Sequence, residues 1–233
     1  MAVTMEIKWE RKAVSLMERR TNIRWWLLVA VSLGVMLAFS APYLAFDPDA
    51  SRVDVSSSAW HYPLLVAHIL TALVALATGF AQFSERLRSR KPAAHRYAGR
   101  AYVASVFVSG ILAFALAAFI ADFAKAVSFL TLSALWLFTS WQGYRYARRR
   151  RFADHRRWMI RSFGLTLVAV SGRVLMPVLL LLYYALNGFS LPGGREGMVE
   201  EALNVNIWAG LVANFILVEW SVLRPAGRSK ELS

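Results

Sequence analysis

The chain has 233 residues, of which 58% are hydrophobic, with a mean hydropathy of +0.44 and a formal net charge of +13. The apolar residues fall in blocks of about 20, the length needed to cross a bilayer, which argues against a water-soluble domain. The basic residues lie at the ends of these blocks, a pattern typical of membrane topology and not of a nucleic-acid-binding face. The absence of cysteine excludes disulfides, thiolate metal sites, covalent c-type haem attachment and cysteine nucleophiles.

The N-terminal segment, residues 1–24, mixes charged and apolar residues ahead of the first apolar block. This composition predicts either an amphipathic helix on the membrane surface, with its basic side chains near lipid phosphates, or a frayed tail. An A-x-A-like cleavage site does not closely follow the first block. We therefore expect that block to be an uncleaved membrane anchor.

Six apolar blocks predict an all-α fold with six transmembrane helices in one membrane domain over residues 25–223, followed by a short basic tail over 224–233. Gly172 and Pro177 predict a kink in the fifth span, because proline removes a backbone hydrogen bond. Small residues predict close approach between helices, namely Gly79, Gly110, Ala117 and Gly210. The predicted spans cover about 25–46, 60–83, 97–120, 126–144, 158–186 and 202–223.

The basic residues predict the orientation of the six spans. All but four of the 27 lysines and arginines lie in the N-terminal segment, the tail and two connections, 85–100 and 145–161. Because lysine and arginine are retained on the cytoplasmic side, the sequence predicts that both termini and both connections are cytoplasmic. The same positive charge predicts contact with anionic lipids at the inner face.

One pattern occurs twice in the chain, sixty residues apart and without a gap: a glutamine, an arginine-rich stretch, then His-Arg. It predicts two equivalent hairpin units, over about 60–120 and 120–186. Two such units would form a core four-helix bundle around a pseudo-two-fold axis along the membrane normal, with the first and last spans outside. The matched residues are Gln82 and Gln142, His95 and His155, and Arg96 and Arg156.

The repeated histidines are the first candidate site. His95 and His155 begin the third and fifth spans, which are diagonal in an up-down bundle, so the two imidazoles could hold the iron of a b-type haem from both sides. The neighbouring arginines could pair with haem propionates, a lipid phosphate or a quinone head group. The alternative is interfacial anchoring and positive-inside charge. The arginines are Arg96, Arg100, Arg156 and Arg161, and the matched Gln82 and Gln142 are expected to have a shared structural role in the hairpins.

His68 and Arg173 are the second candidate site. They lie at a similar predicted depth in the second and fifth spans. An arginine near the bilayer centre costs roughly 2.5–3.5 kcal/mol on insertion scales, so it must face protein or water. The pair predicts a polar pocket near the outer surface, reached by Asn204 or Asn206. The alternative is a purely structural Arg173, bonded to a carbonyl or to Asp122.

Several motifs carry a resemblance to a known family. HRYAGRAY begins at His95, HRRWMIRSFGLT begins at His155, and an HxxxxxxH spacing and GFAQF precede them. With HR-x-x-G and H-x-x-W-M-x-R-S as its most specific parts, the stretch 60–186 resembles a bacterial family of membrane proteins known as domain of unknown function 2306. The resemblance implies a multi-span protein of the bacterial inner membrane. It implies no established activity and no catalytic residue.

A looser likeness is to transmembrane b-type cytochromes that take electrons from ascorbate. These proteins place two histidine pairs on four central helices, and the inner pair here would be His95 and His155. The outer pair is incomplete, because the position that matches His68 is Ser128.

We therefore expect an integral membrane protein with a redox-linked role, holding a b-type haem or a quinone between its histidine-bearing helices. Two other interpretations stay open. One is a non-enzymatic assembly or partner subunit of a larger membrane complex, or a homo-oligomer. The other is a small-solute transporter. No P-loop, HExxH, nucleophile-elbow or kinase motif is present.

Overall fold

A computed structural model describes residues 23–51 and 58–223 of the chain. All regular elements in these ranges are helices, which confirms the all-α prediction. The expected surface helix falls almost entirely outside the described residues, and the basic tail over 224–233 lies wholly outside them.

Of the eight α-helices in the described ranges, six are long and apolar enough to cross a membrane, as predicted. Large apolar side chains cover their outer faces; Leu181, for example, is 65% exposed. Such faces are unfavourable in water and suit contact with lipid. The helices are α1 (Ile23–Ala45), α2 (His61–Gln82), α3 (Glu85–Arg90), α4 (Pro92–Ala117), α5 (Phe123–Arg148), α6 (Phe152–Thr166), α7 (Val168–Leu186) and α8 (Gly194–Leu223), and the six candidate spans are α1, α2, α4, α5, α7 and α8.

Four helices form the central bundle. α2 packs against α4, α4 against α5, α5 against α6, and α6 against α2. This cyclic order makes α4 and α6 diagonal, and α2 and α5 likewise, as in an up-down bundle. Outside the bundle, Trp25 of α1 packs edge-on against Phe80 of α2. α8 packs against α5, α6 and α7.

The two basic connections differ in local structure, although their sequences match. After α2, the Ser84 hydroxyl accepts a hydrogen bond from the Leu87 N–H at 3.2 Å and caps the short helix α3. The matched position in the second connection is Tyr144, which cannot cap a helix, and α5 continues to Arg148. We call the end of the bundle that carries α3 and the α5–α6 turn the basic end.

The helix of the fifth span is interrupted at Leu167, between α6 and α7. Gly172 and Pro177, where the sequence predicts a kink, both lie inside α7, and the kink stays a prediction. The Thr166 hydroxyl contacts the Ser162 carbonyl oxygen at 3.2 Å. The backbone bonds Leu167 N–H to Phe163 and Ser171 N–H to Leu167 continue across this point, so α6 and α7 follow one another directly.

The middle of the bundle is filled with side chains. Tyr102 and Val106 of α4 are fully buried beside Phe80, Trp136 and Phe163. The predicted close approaches are confirmed at three glycines. A Cβ atom would overlap the Phe163 ring at Gly79, the Leu137 side chain at Gly110, and the Val168 carbonyl at Gly210. A ligand held inside the bundle therefore has to lie towards one of its two ends.

Candidate functional site

The candidate site lies at the basic end, where the diagonal helices α4 and α6 both begin. His95 lies in the first turn of α4 and His155 in the first turn of α6. The two histidines that the repeat singles out therefore lie in equivalent turns at the same end of the bundle.

His155 is held by the backbone of a neighbouring helix. Its Nδ1 atom lies 2.8 Å from the carbonyl oxygen of Gly143 in α5. Because a carbonyl only accepts, Nδ1 carries the hydrogen and Nε2 is left as an acceptor in the neutral ring. This tautomer and its carbonyl partner are those of a typical ligating or proton-accepting histidine.

His95 has a different environment. Its Nδ1 atom is buried and has no hydrogen-bond partner among the described residues. Only its backbone is engaged, since its carbonyl oxygen accepts a hydrogen bond from Gln82 Nε2 at 3.2 Å. A buried polar atom without a partner costs about 1–3 kcal/mol, so this nitrogen is a natural attachment point for a ligand.

The two matched glutamines also differ. The Gln82 side chain bridges α2 and α4 and lies against Gly99, where a Cβ atom would come within 3.1 Å of Gln82 Oε1. The Oε1 atom of Gln142 is buried and, within the described part of the chain, has no hydrogen-bond partner. The basic end therefore holds two buried polar atoms without partners, on His95 and on Gln142.

The candidate arginines do not share one environment. Arg96 and Arg156 are exposed. Arg161 forms a two-bond ion pair with Glu219 of α8, at 2.6 and 2.9 Å. Its guanidinium also lies 5.0 Å from the centre of the Trp158 ring. Arg161 therefore joins α6 to α8.

At the opposite end, the contacts of His68 and Arg173 lead to different elements. His68 Nδ1 lies 2.9 Å from the Ser109 carbonyl oxygen in α4. Arg173 donates to the Ala169 carbonyl at 2.8 Å, and its guanidinium lies 4.9 Å from the centre of the Phe39 ring of α1. This bond to a carbonyl agrees with the alternative interpretation, in which Arg173 has a purely structural role.

Asn206 is nearly buried and lies against Gly172, the residue before Arg173. Its backbone carbonyl faces Gly172, where an added Cβ atom would be 3.0 Å away. In these contacts Asn206 supports the packing of α7 against α8.

The centre of the bundle contains a buried network of hydroxyl groups that the sequence analysis did not identify. The Tyr102 hydroxyl lies 2.8 Å from the Ser162 hydroxyl and 2.9 Å from that of Thr166. Trp136 Nε1 donates to the Thr166 hydroxyl at 3.0 Å. Tyr102 and Ser162 are sixty residues apart, so they occupy matched positions of the repeat. Residues on a pseudo-two-fold axis meet their own equivalents, and the repeat could have revealed this pair.

Asn214 of α8 is a second residue that the sequence-based candidates omit. Its side chain accepts from the Ser171 hydroxyl at 2.8 Å and donates to the Gly164 carbonyl at 3.0 Å. Asn214 lies one turn from Gly210 on the same helix, and this spacing is the feature of the sequence that could have indicated its role. Asn214 therefore connects α8 to both halves of the interrupted helix.

Metal binding by side chains alone would need more ligands than the site offers. Within residues 23–51 and 58–223, no group of three or more histidine, aspartate or glutamate side chains could hold a metal ion. His95 and His155 could act as iron ligands only if a macrocycle supplied the other donors.

Fold and sequence together define a multi-span, all-helical integral membrane protein. The chain belongs to the family described as "Predicted membrane protein (DUF2306)", which matches residues 65–222. This match confirms the resemblance carried by the histidine motifs. No curated protein and no solved structure matches the chain.

Proposed function

We propose that the basic end of the bundle binds the head group of a lipid-soluble quinone and that the protein has a redox-linked role in the membrane. The observation that carries this proposal is the buried Nδ1 atom of His95, which has no partner among the described residues. His155 lies in the first turn of the diagonal helix α6 at the same end of the bundle.

The two histidines suit the two ends of a quinone head group. A carbonyl oxygen of the oxidised form would accept from an N–H of His95, and a hydroxyl of the reduced form would donate to Nε2 of His155. Gln142 Oε1 offers a second acceptor. Nδ1 of His95 is enclosed in this conformation, so binding requires a rotation of the His95 side chain.

A bis-histidine haem fits the same pair less well. An axial histidine normally donates its Nδ1–H to an acceptor, which fixes the ring and raises its basicity. His155 meets this condition through Gly143, but Nδ1 of His95 has no acceptor within the described residues. Of the arginines considered for propionates, Arg161 is already paired with Glu219.

The test is quinone binding by the purified full chain in a mild detergent. A short-chain quinone should quench the fluorescence of the nine tryptophans with saturation. His95→Leu should weaken binding by roughly tenfold or more, which corresponds to the loss of one buried hydrogen bond. Arg149→Gln, a change at an exposed position of the same end, should bind as the wild type does.

Two results would count against the quinone. Equal binding by the wild type and His95→Leu would remove His95 from the site. A Soret band in protein from haem-replete cells, lost in His155→Ala, would replace the quinone with a haem. Mass spectrometry of solvent extracts identifies any quinone that co-purifies.

We further propose that the basic end faces the cytoplasm and that the membrane is the bacterial inner membrane. The concentration of lysine and arginine at this end supports the orientation. The partner-subunit and transporter interpretations stay predictions.

A further inference from the structure

A groove lies on the outside of the bundle, between α4 and α5 near the basic end. Its volume is about 290 Å³. It is separate from the proposed quinone site, which lies between the diagonal helices α4 and α6. The lining residues are Arg100, Val103, Ala104 and Phe107 of α4, with Trp141 and Tyr144 of α5.

The polar and apolar residues of the groove are separated along its length. At 1.5 Å per residue, Arg100 lies about 10 Å nearer the basic end than Phe107. α5 runs in the opposite direction, so Tyr144 lies nearer the basic end than Trp141. The surface inside the groove is apolar, and the polar groups of Arg100 and Tyr144 lie at its rim, towards the basic end. A phospholipid has the same order, with an anionic head group above apolar tails.

Arg100 belongs to the lining of the groove, and Arg148 is joined to the lining through Tyr144. Arg100 is exposed, and its guanidinium lies 5.8 Å from the centre of the Tyr97 ring, one turn closer to the basic end. Arg148 donates to the Tyr144 hydroxyl at 3.2 Å. The ion pairs formed among the described residues include neither Arg100 nor Arg148. Both cations therefore keep their charge for an external anion.

Aromatic rings form the floor of the deeper part. Phe107 and Trp141 are 6.4 Å apart in an edge-on arrangement, and Trp141 and Tyr144 are 6.0 Å apart. Trp141 is 50% exposed. Ala104, the smallest lining residue, leaves room beside these rings for a hydrocarbon chain.

We propose that this groove is a binding site for one acidic phospholipid. The phosphate lies against the Arg100 guanidinium and the Arg148–Tyr144 pair, because guanidinium groups match phosphate oxygens in charge and geometry. One acyl chain lies along the apolar floor. The site goes beyond the proposed function, since it needs neither His95 nor His155.

The experiment compares lipid retention by the full chain, using native mass spectrometry from a neutral detergent with equal phosphatidylglycerol and phosphatidylcholine. The wild type should retain one phosphatidylglycerol in preference to phosphatidylcholine. Arg100→Gln and Arg148→Gln should each weaken this preference roughly tenfold, as expected for a charge-assisted hydrogen bond. Arg90→Gln removes the same charge at the same end but outside the groove, and it should behave as the wild type.

Ala104→Phe tests the acyl chain separately. It fills the floor without changing charge, and it should lower phosphatidylglycerol retention while Arg90→Gln does not. Equal retention by all four variants would overturn the proposal, as would equal retention of the two lipids by the wild type. Displacement of the lipid by inorganic phosphate alone would contradict the acyl-chain contact.

Discussion

At the scale of single residues, the Tyr102 hydroxyl connects two helices that are diagonal in the bundle. It reaches from α4 to Ser162 and Thr166 of α6, and the residue is fully buried. Trp136 of α5 joins the same network through Thr166. Three of the four bundle helices therefore share one set of hydroxyl groups in a medium without water, where polar groups need internal partners.

We predict that Tyr102→Phe destabilises the protein by about 1 kcal/mol, because it removes one hydroxyl and leaves two others with fewer partners. Thermal unfolding in detergent measures the effect. Tyr97→Phe is the matched control, since Tyr97 lies on the same helix and is 71% exposed. If Ser162→Ala costs nothing further in the Tyr102→Phe background, the two residues act as one unit. A stability equal to that of Tyr97→Phe would contradict the prediction.

The histidines show the limit of sequence at this scale. The repeat predicts that His95 and His155 lie at one depth, because identical spacing places them in the same turn of equivalent helices. The identical spacing does not determine which groups surround each ring. The environments differ because the partner of His155 is a backbone carbonyl of α5, while the matched α2 ends at Gln82.

At the scale of helices, α7 and α8 approach each other through glycines. A Cβ atom on Gly210 would lie 2.8 Å from the Val168 carbonyl oxygen and 3.0 Å from the Gly172 nitrogen. These neighbours are backbone atoms and cannot turn aside as a side chain can. Close approach through small residues drives helix association in membranes, where burial of apolar surface contributes little.

Gly210→Ala should therefore lower the free energy of unfolding by about 2 kcal/mol, the usual cost of overpacking. Gly34→Ala is the control, because nothing lies within 4 Å of a Cβ atom at that position. Both variants can be compared by thermal unfolding in the same detergent. Equal stability of the two would mean that α7 and α8 separate without cost.

At the scale of the whole molecule, charge and hydropathy divide the protein into a basic end and an opposite end. Most of the described arginines lie on α3, on the α5–α6 turn or on the helix turns next to them, whereas the α7–α8 connection lies at the other end. This distribution of positive charge also predicts which end of the protein faces the cytoplasm. The charges act while the helices are inserted into the membrane, so the prediction does not depend on how the helices pack.

We predict that Ser89→Cys is protected from a membrane-impermeant maleimide in intact cells and that Ser190→Cys is labelled. Both serines are exposed, and the natural chain has no cysteine to give a background. Permeabilised cells should label both variants. Labelling of Ser89→Cys alone in intact cells would reverse the proposed orientation.

The sequence alone determined the number of spans, the all-α class and the family, because apolar block length and local motifs are properties of neighbouring residues. It also predicted the close approaches at Gly79, Gly110 and Gly210. Glycine has no side chain, so a neighbouring helix can come close to it whichever residue makes the contact. The diagonal placement of α4 and α6 followed from short connections between consecutive helices.

Only the tertiary structure decided which polar groups are paired. Arg161 meets Glu219 and His68 meets Ser109 across long stretches of chain. Such partners depend on the rotation and depth of whole helices, and a shift of one residue turns a helical side chain by about 100°. For the same reason, the unpartnered nitrogen of His95, on which the proposed function rests, has no signature in the sequence.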